Sequence, residues 1–262
     1  AELSPKQRIE NFEDAINDEL ANLGLPRIRV VPVEDMPPGN AAFNGGSWQI
    51  KVSLIDIGAD APEGADALML FERQLADLSA DIYHEAQHAR DTFQAARYRA
   101  GEGWTYERLT ASPKQGGGGI SDEVAKLAKA RPLDPKSAEG MANARLANNL
   151  IPEDAHEVAR LNKVLDDMDK AKANRTAKRN AYMEAVSRRD SPQTLAGLKR
   201  MADDAETEYL AAYREYRGLD HELEGWNAGG LITAKYEDIA AKQGVKLAPG
   251  DPMNYPARRG GP

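Results

Sequence analysis

Residues 83–90 read YHEAQHAR, and His84, Glu85 and His88 within them have the types and spacing for metal-assisted hydrolysis. Histidines at i and i+4 stand about 6 Å apart on one helix face, so both imidazoles can reach a single Zn2+ at about 2.0–2.1 Å. Glu85, one helical step from the first histidine, can lie beside the metal and hold its water without ligating. Zinc lowers the pKa of such a water toward about 7, and an adjacent carboxylate can accept its proton during attack on a carbonyl.

A catalytic zinc keeps three protein ligands and one open position. No further histidine follows His88 closely, which leaves His156 and the acidic stretch YREYRGLDHELEGWNAGG as sources of the third ligand. Glu222 is the favoured candidate, because it precedes a run of small and aromatic residues suited to packing near a site. Glu224 is its fallback or supporting acid, and His221 is ligand, proton donor or bystander. Tyr216, Arg217 and His221 all lie close enough in sequence to help a developing oxyanion, and the sequence does not choose among them. Asp81 and Asp91 sit three residues from His84 and His88 and could take the second N–H of an imidazole; plain surface carboxylates are the equal alternative. His156, amid charges in mid-helix, is expected at the surface.

The motif needs a helix. At about 100° per residue, Phe71, Leu75, Leu78, Ile82, Ala89 and Phe93 form one apolar stripe. The two histidines fall nearly opposite, with Asp77, Asp81 and Asp91 as neighbours. That placement argues against ordinary core histidines and leaves a solvated helix face as the competing reading.

Before this helix, SPKQ at residues 4–7 carries the signs of a helix start, with Ser4 as N-cap, Pro5 at the first position and Gln7 completing a capping box. Ile9, Phe12, Ile16 and Leu20 give that helix its stripe, and Gly24 ends it. RIRVVPV (27–33) predicts a strand, and Asn44-Gly45 predicts a turn into a second strand through Trp48, Ile50 and Val52. Gly116–Gly119 lack the Lys-Ser/Thr ending of a phosphate loop and read as a soft connection. Residues 153–189 and 193–217 predict two long helices, restarted at Ser191-Pro192, that pair as a hairpin. Val158, Leu161, Leu165 and Met168 stripe the first; Leu198, Met201, Ala205, Tyr209, Ala212 and Tyr216 stripe the second. The basic run KAKANRTAKRN (170–180) reads mainly as a solvated face. A last helix, LITAKYEDIAAKQG, precedes a flexible tail at 246–262.

The 262 residues contain no cysteine, so disulfides and thiolate metal sites are excluded. A net charge of −8 argues against general nucleic-acid binding, and no apolar run is long enough to span a membrane. The fold class expected is α+β, mostly α: a small antiparallel sheet on an active-site helix plus a long helical hairpin. It is organised as one domain over 1–245, with the hairpin as an extension at 153–217.

YHEAQHARDTFQAARYRAG together with EYRGLDHELEGW resembles the gluzincin-type zinc metallopeptidases. More narrowly, it is similar to the peptidase domains at the ends of type VI secretion spike proteins and other bacterial polymorphic toxins. The resemblance implies His84, His88 and Glu222 as zinc ligands, Glu85 as general base and Glu224 as supporting acid. It further implies a zincin-like fold, a protein or peptide substrate laid along the strand WQIKVS, delivery by a bacterial secretion system into a target-cell periplasm, and a cognate immunity protein. Arg90, two residues beyond the second histidine, is charged where such helices prefer an apolar residue. Two other readings stay open: a non-catalytic helical binding module with an incidental or structural metal, and a zinc amidase acting on cell-wall amides.

Overall fold

Ser4 opens the first element as its sequence predicts. Its hydroxyl accepts from Gln7 N–H while the Gln7 side chain accepts from Ser4 N–H, and helix α1 runs Pro5–Ala21. The computed structural model describes residues 4–34, 36, 41–54, 64–113 and 117–249. Three strands follow α1: β1 (Arg29–Val33), β2 (Ala41–Asn44) and β3 (Gln49–Ser53). The strand order is β1-β3-β2, with β3 parallel to β1 and antiparallel to β2. The sheet is therefore mixed, which corrects the antiparallel expectation. The β2–β3 pair is a hairpin, but β1 reaches β3 only through β2 and so lies beside it in the same sense.

The same topology corrects a second expectation. WQIKVS contributes the central strand, whose two sides are already paired, so no extended peptide can add to it. The edges are β1 and β2. Asn17 ties α1 to the start of the sheet, donating from Nδ2 to Ile28 O at 2.9 Å and accepting from Ile28 N–H at 2.8 Å. Glu13 accepts from the Val30 N–H of β1 at 3.0 Å. Trp48 closes the β-hairpin turn at φ 54°, in the left-handed region. Bulky residues avoid that region; here burial, an edge contact with the Phe43 ring and an indole N–H bond to Pro26 O hold it.

Helix α2 (Ala65–Gly101) is the long element against which α1, β2 and β3 pack. Leu78, Ile82, Ala89 and Phe93, from the predicted stripe, are almost wholly buried. Three shorter helices follow: α3 (Tyr106–Thr110), α4 (Asp122–Ala130) and α5 (Ala138–Leu150). Buried Arg99 on α2 donates to Ile151 O and to Asn148 Oδ1 and pairs with Glu102, so its charge is compensated where α5 ends. The described part of the glycine loop is packed, not soft. Gly118 N–H bonds Arg108 O and Gly119 N–H bonds Ala111 O. A Cβ on Gly117 would fall 2.2 Å from Ala111 O, so the close approach requires glycine there. Gly116 lies outside the described residues.

The chain divides into two compact units, one taking in residues through Ile151 and again from Leu223, the other Pro152–Glu222. The second is the predicted hairpin: α6 (Ala155–Arg188) and α7 (Pro192–Arg217), restarted at Ser191 with Pro192 in the first turn. Asn174 bonds Glu208 and Arg175 bonds Glu206 and lies over the Tyr209 ring, which fixes an antiparallel pairing. The α6 stripe is shifted from expectation: Val164 is buried, whereas Leu165 is exposed. Met201 on α7 is also exposed. Two helices alone cannot cover a full stripe on either partner.

Helix α8 (Asp220–Lys242) begins a full eleven residues before LITAKYEDIAAKQG. Its Tyr236 hydroxyl donates to Glu72 of α2 at 2.7 Å, and burial together with that bond pushes the phenol pKa up. Glu237 pairs with Arg73, and Arg73 Nε also donates to Ala248 O. Ala248 N–H bonds Met69 O. The start of the expected flexible tail is thus tied to α2; residues 250–262 lie outside the described residues.

Candidate metal centre

The histidine face of α2 is polar in sequence but not solvated. His84 is 4% exposed and His88 is 9% exposed, and Gln87 and Asp91 beside them are buried too. The solvated-face reading fails at this point. It fails because α2 is covered on more than its apolar stripe.

Part of the cover comes from α8. As numbers rise along α8 they fall along α2, from Gly225 at His84 to Tyr236 at Glu72, so the two helices run antiparallel. A Cβ on Gly225 would stand 2.7 Å from His84 Cε1 and 2.8 Å from its Nδ1. Only a residue without a side chain leaves room for the ring. Trp226, next along α8, packs its indole on the His84 imidazole with centroids 4.7 Å apart. The small and aromatic stretch expected to pack near a site does so through these two residues.

The two imidazoles converge. His84 Nε2 and His88 Nε2 are 2.8 Å apart, with ring planes at 82°. Two nitrogens that close either share a proton or address one cation. Ligands on a tetrahedral zinc at about 2.0–2.1 Å stand roughly 3.3 Å apart, so a small opening of the rings, about half an ångström, makes the pair fit. Glu85 brings a carboxylate to the same place, and the three potential ligand atoms all lie within 4.8 Å of one another. Two imidazoles and a carboxylate are nitrogen and oxygen donors of the kind zinc accepts.

Glu85 is oriented by the sheet. Its Oε2 accepts from Phe43 N–H of edge strand β2 at 2.7 Å. The Phe43 ring rests edge-on against Trp48, 5.3 Å between centroids, so the donor itself is held. Neither Phe43 nor Gly225 was a sequence candidate. The contact from residue 43 to residue 85 leaves no trace in spacing, and the only hint of Gly225 was its place beside Trp226.

Among the other candidates, Asp91 is buried; its Oδ1 accepts from Arg90 Nε at 3.0 Å and forms an ion pair with Arg90 Nη2 at 3.0 Å. The charged residue that departs from the zincin pattern therefore compensates a buried acid. Asp81 is half-buried on α2. Glu222 is buried in the first turn of α8, one turn before Gly225 and Trp226 on that helix. His221 and Glu224 lie in the same turn, with side chains outside the described residues. Tyr216, near the end of α7, stacks on Tyr213 at 6.3 Å. His156 is exposed, as expected, but it stands in the first turn of α6 and not in mid-helix. Comparison with protein-family models, curated proteins and solved structures finds no match to this chain.

Proposed function

We propose that this chain is a zinc-dependent hydrolase of amide bonds, working as an endopeptidase of the gluzincin type. The observation that supports it most is the pair of buried imidazoles meeting at 2.8 Å beside a carboxylate fixed by a backbone N–H. A structural reason alone does not call for two convergent histidines against a glycine that makes room for one of them.

In this reading His84 and His88 hold zinc, and Glu222 supplies the third ligand from the helix that also carries Gly225 and Trp226. Bound zinc supplies Lewis-acid polarisation of the scissile carbonyl and of a water molecule. The Glu85 carboxylate takes the proton as the water oxygen bonds to the carbonyl carbon, while Phe43 N–H holds Oε2 and so keeps the carboxylate aimed. Glu85 then gives that proton to the amide nitrogen as the C–N bond breaks. Asp91 and Asp81 steady the imidazoles, Glu224 supports Glu222, and Tyr216 or His221 donates to the developing oxyanion. The biological setting proposed with it is a secreted bacterial effector acting on periplasmic proteins, countered by an immunity protein.

Metal content and hydrolysis test this together. Wild-type protein incubated with zinc should hold about one ion per chain; His84→Ala should lose it. Glu85→Gln should keep metal and fold while hydrolysis falls by about 100-fold or more. A chain that stays metal-free in excess zinc ends the proposal, and so does a Glu85→Gln protein of undiminished activity. Parallel protein and peptidoglycan substrates separate a peptidase from a cell-wall amidase.

A further inference from the structure

The largest local excess of positive charge in the chain lies in the hairpin. Residues 170–200 contain nine Lys and Arg against two acids, Glu184 and Asp190. Taking these from the chain's 34 basic and 42 acidic residues leaves 25 against 40, so the remainder carries −15. Some hairpin cations are paired, such as Arg175 with Glu206 and Lys199 with Asp203. Lys170, Lys172, Arg179, Arg189 and Arg200 are exposed and have no ion-pair partner among the described residues. Like charges crowded between residues 170 and 200 repel one another, and an anionic partner removes that repulsion.

One flank of α6 carries more than charge. Lys172, Arg179, Met183 and Val186 follow one another at spacings of seven, four and three, which lines them up over about 21 Å of helix. Met183 is 54% exposed and Val186 41% exposed. Cations interleaved with bulky apolar side chains on a convex helix suit an interface where anionic headgroups overlie hydrocarbon. Nucleic acid fits less well. Tyr182, half-buried, is the sole aromatic between residues 170 and 200, so no exposed ring is there to stack on a base.

We propose that this flank of the hairpin, Lys172, Arg179, Met183 and Val186, docks on an anionic lipid surface. The cations lie at the headgroups and the two apolar side chains enter the boundary beneath them. This surface is independent of the metal centre, and it holds whether or not the chain hydrolyses amides.

Flotation of the full chain with vesicles tests it. The protein should rise with vesicles of equal parts phosphatidylcholine and phosphatidylglycerol, stay behind with phosphatidylcholine alone, and be released as added salt shortens the screening length. Each Lys or Arg near such a surface is worth roughly a fivefold gain in partitioning. Lys172→Glu with Arg179→Glu, a change of four charges, should therefore lower partitioning by roughly 600-fold. The milder pair Lys172→Gln with Arg179→Gln should lower it by roughly twentyfold, with an unchanged helical spectrum. Met183→Ser should produce a smaller loss, roughly fivefold or less. Equal flotation with neutral vesicles, wild-type partitioning by the Gln pair, or displacement from lipid by a nucleic-acid duplex would each overturn the proposal.

Discussion

Helices α2 and α6 are nearly the same length, 37 and 34 residues, and are built on opposite principles. From Phe71 to Ala100, Gln74 alone on α2 is exposed. On α6, among the described residues, Val164 and Ala185 are the only buried ones. The first holds its place through packing that encloses even its polar face. The second is held by one narrow seam and a scatter of surface ion pairs such as Lys163–Asp167 and Arg160–Glu157, which the surrounding water screens to little effect. Candidate chemistry sits on the enclosed helix, where a low dielectric strengthens every electrostatic contact. Excess charge sits on the open one, where water carries its cost.

Removing apolar volume should expose this contrast most. Phe93→Ala on α2 should cost about 3–5 kcal/mol in denaturant unfolding, as for large side chains lost from a packed core. A loss under about 1 kcal/mol would mean that α2 is not the rigid element described. Two helical glycines make a closer comparison. Gly225→Ala should cost about 1–3 kcal/mol, because its Cβ meets the His84 ring, and it should weaken zinc binding in the same protein. Gly197→Ala on α7, where nothing lies within 4 Å, should instead stabilise the hairpin by about 0.5–1 kcal/mol. If both changes had the same sign, the packing difference between the two regions would be refuted. The smallest effect belongs to Arg189, which ends α6 in the left-handed region at φ 59°. Arg189→Gly should raise the hairpin's thermal midpoint slightly, by no more than about 1 kcal/mol of stability, since glycine enters that region without a Cβ clash.

What could be read from the amino-acid order was local. The capping box at Ser4, the restart at Ser191-Pro192 and the stripe on α2 all rest on residues within a turn or two of one another, and all three recur in the structure. The motif histidines were found for the same reason, being four residues apart. Long-range features stayed hidden. Nothing near residue 43 announces a partner at residue 85, and hydrophobic alternation does not say whether β1 lies parallel to β3. Periodicity placed the histidines correctly on the polar side of α2. It could not say that a glycine-bearing helix more than 130 residues later would cover that side, because cover is a property of the partner.

Both margins of the three-stranded sheet are stoppered by acids from neighbouring helices: Glu13 caps the Val30 N–H of β1, and Glu85 caps the Phe43 N–H of β2. Open margins invite pairing between molecules. Truncating Glu85 to alanine would therefore unplug one border of the sheet while silencing any proton transfer, and self-association could masquerade as lost turnover. Glutamine keeps an amide oxygen to accept from Phe43, so it removes the base and leaves the stopper in.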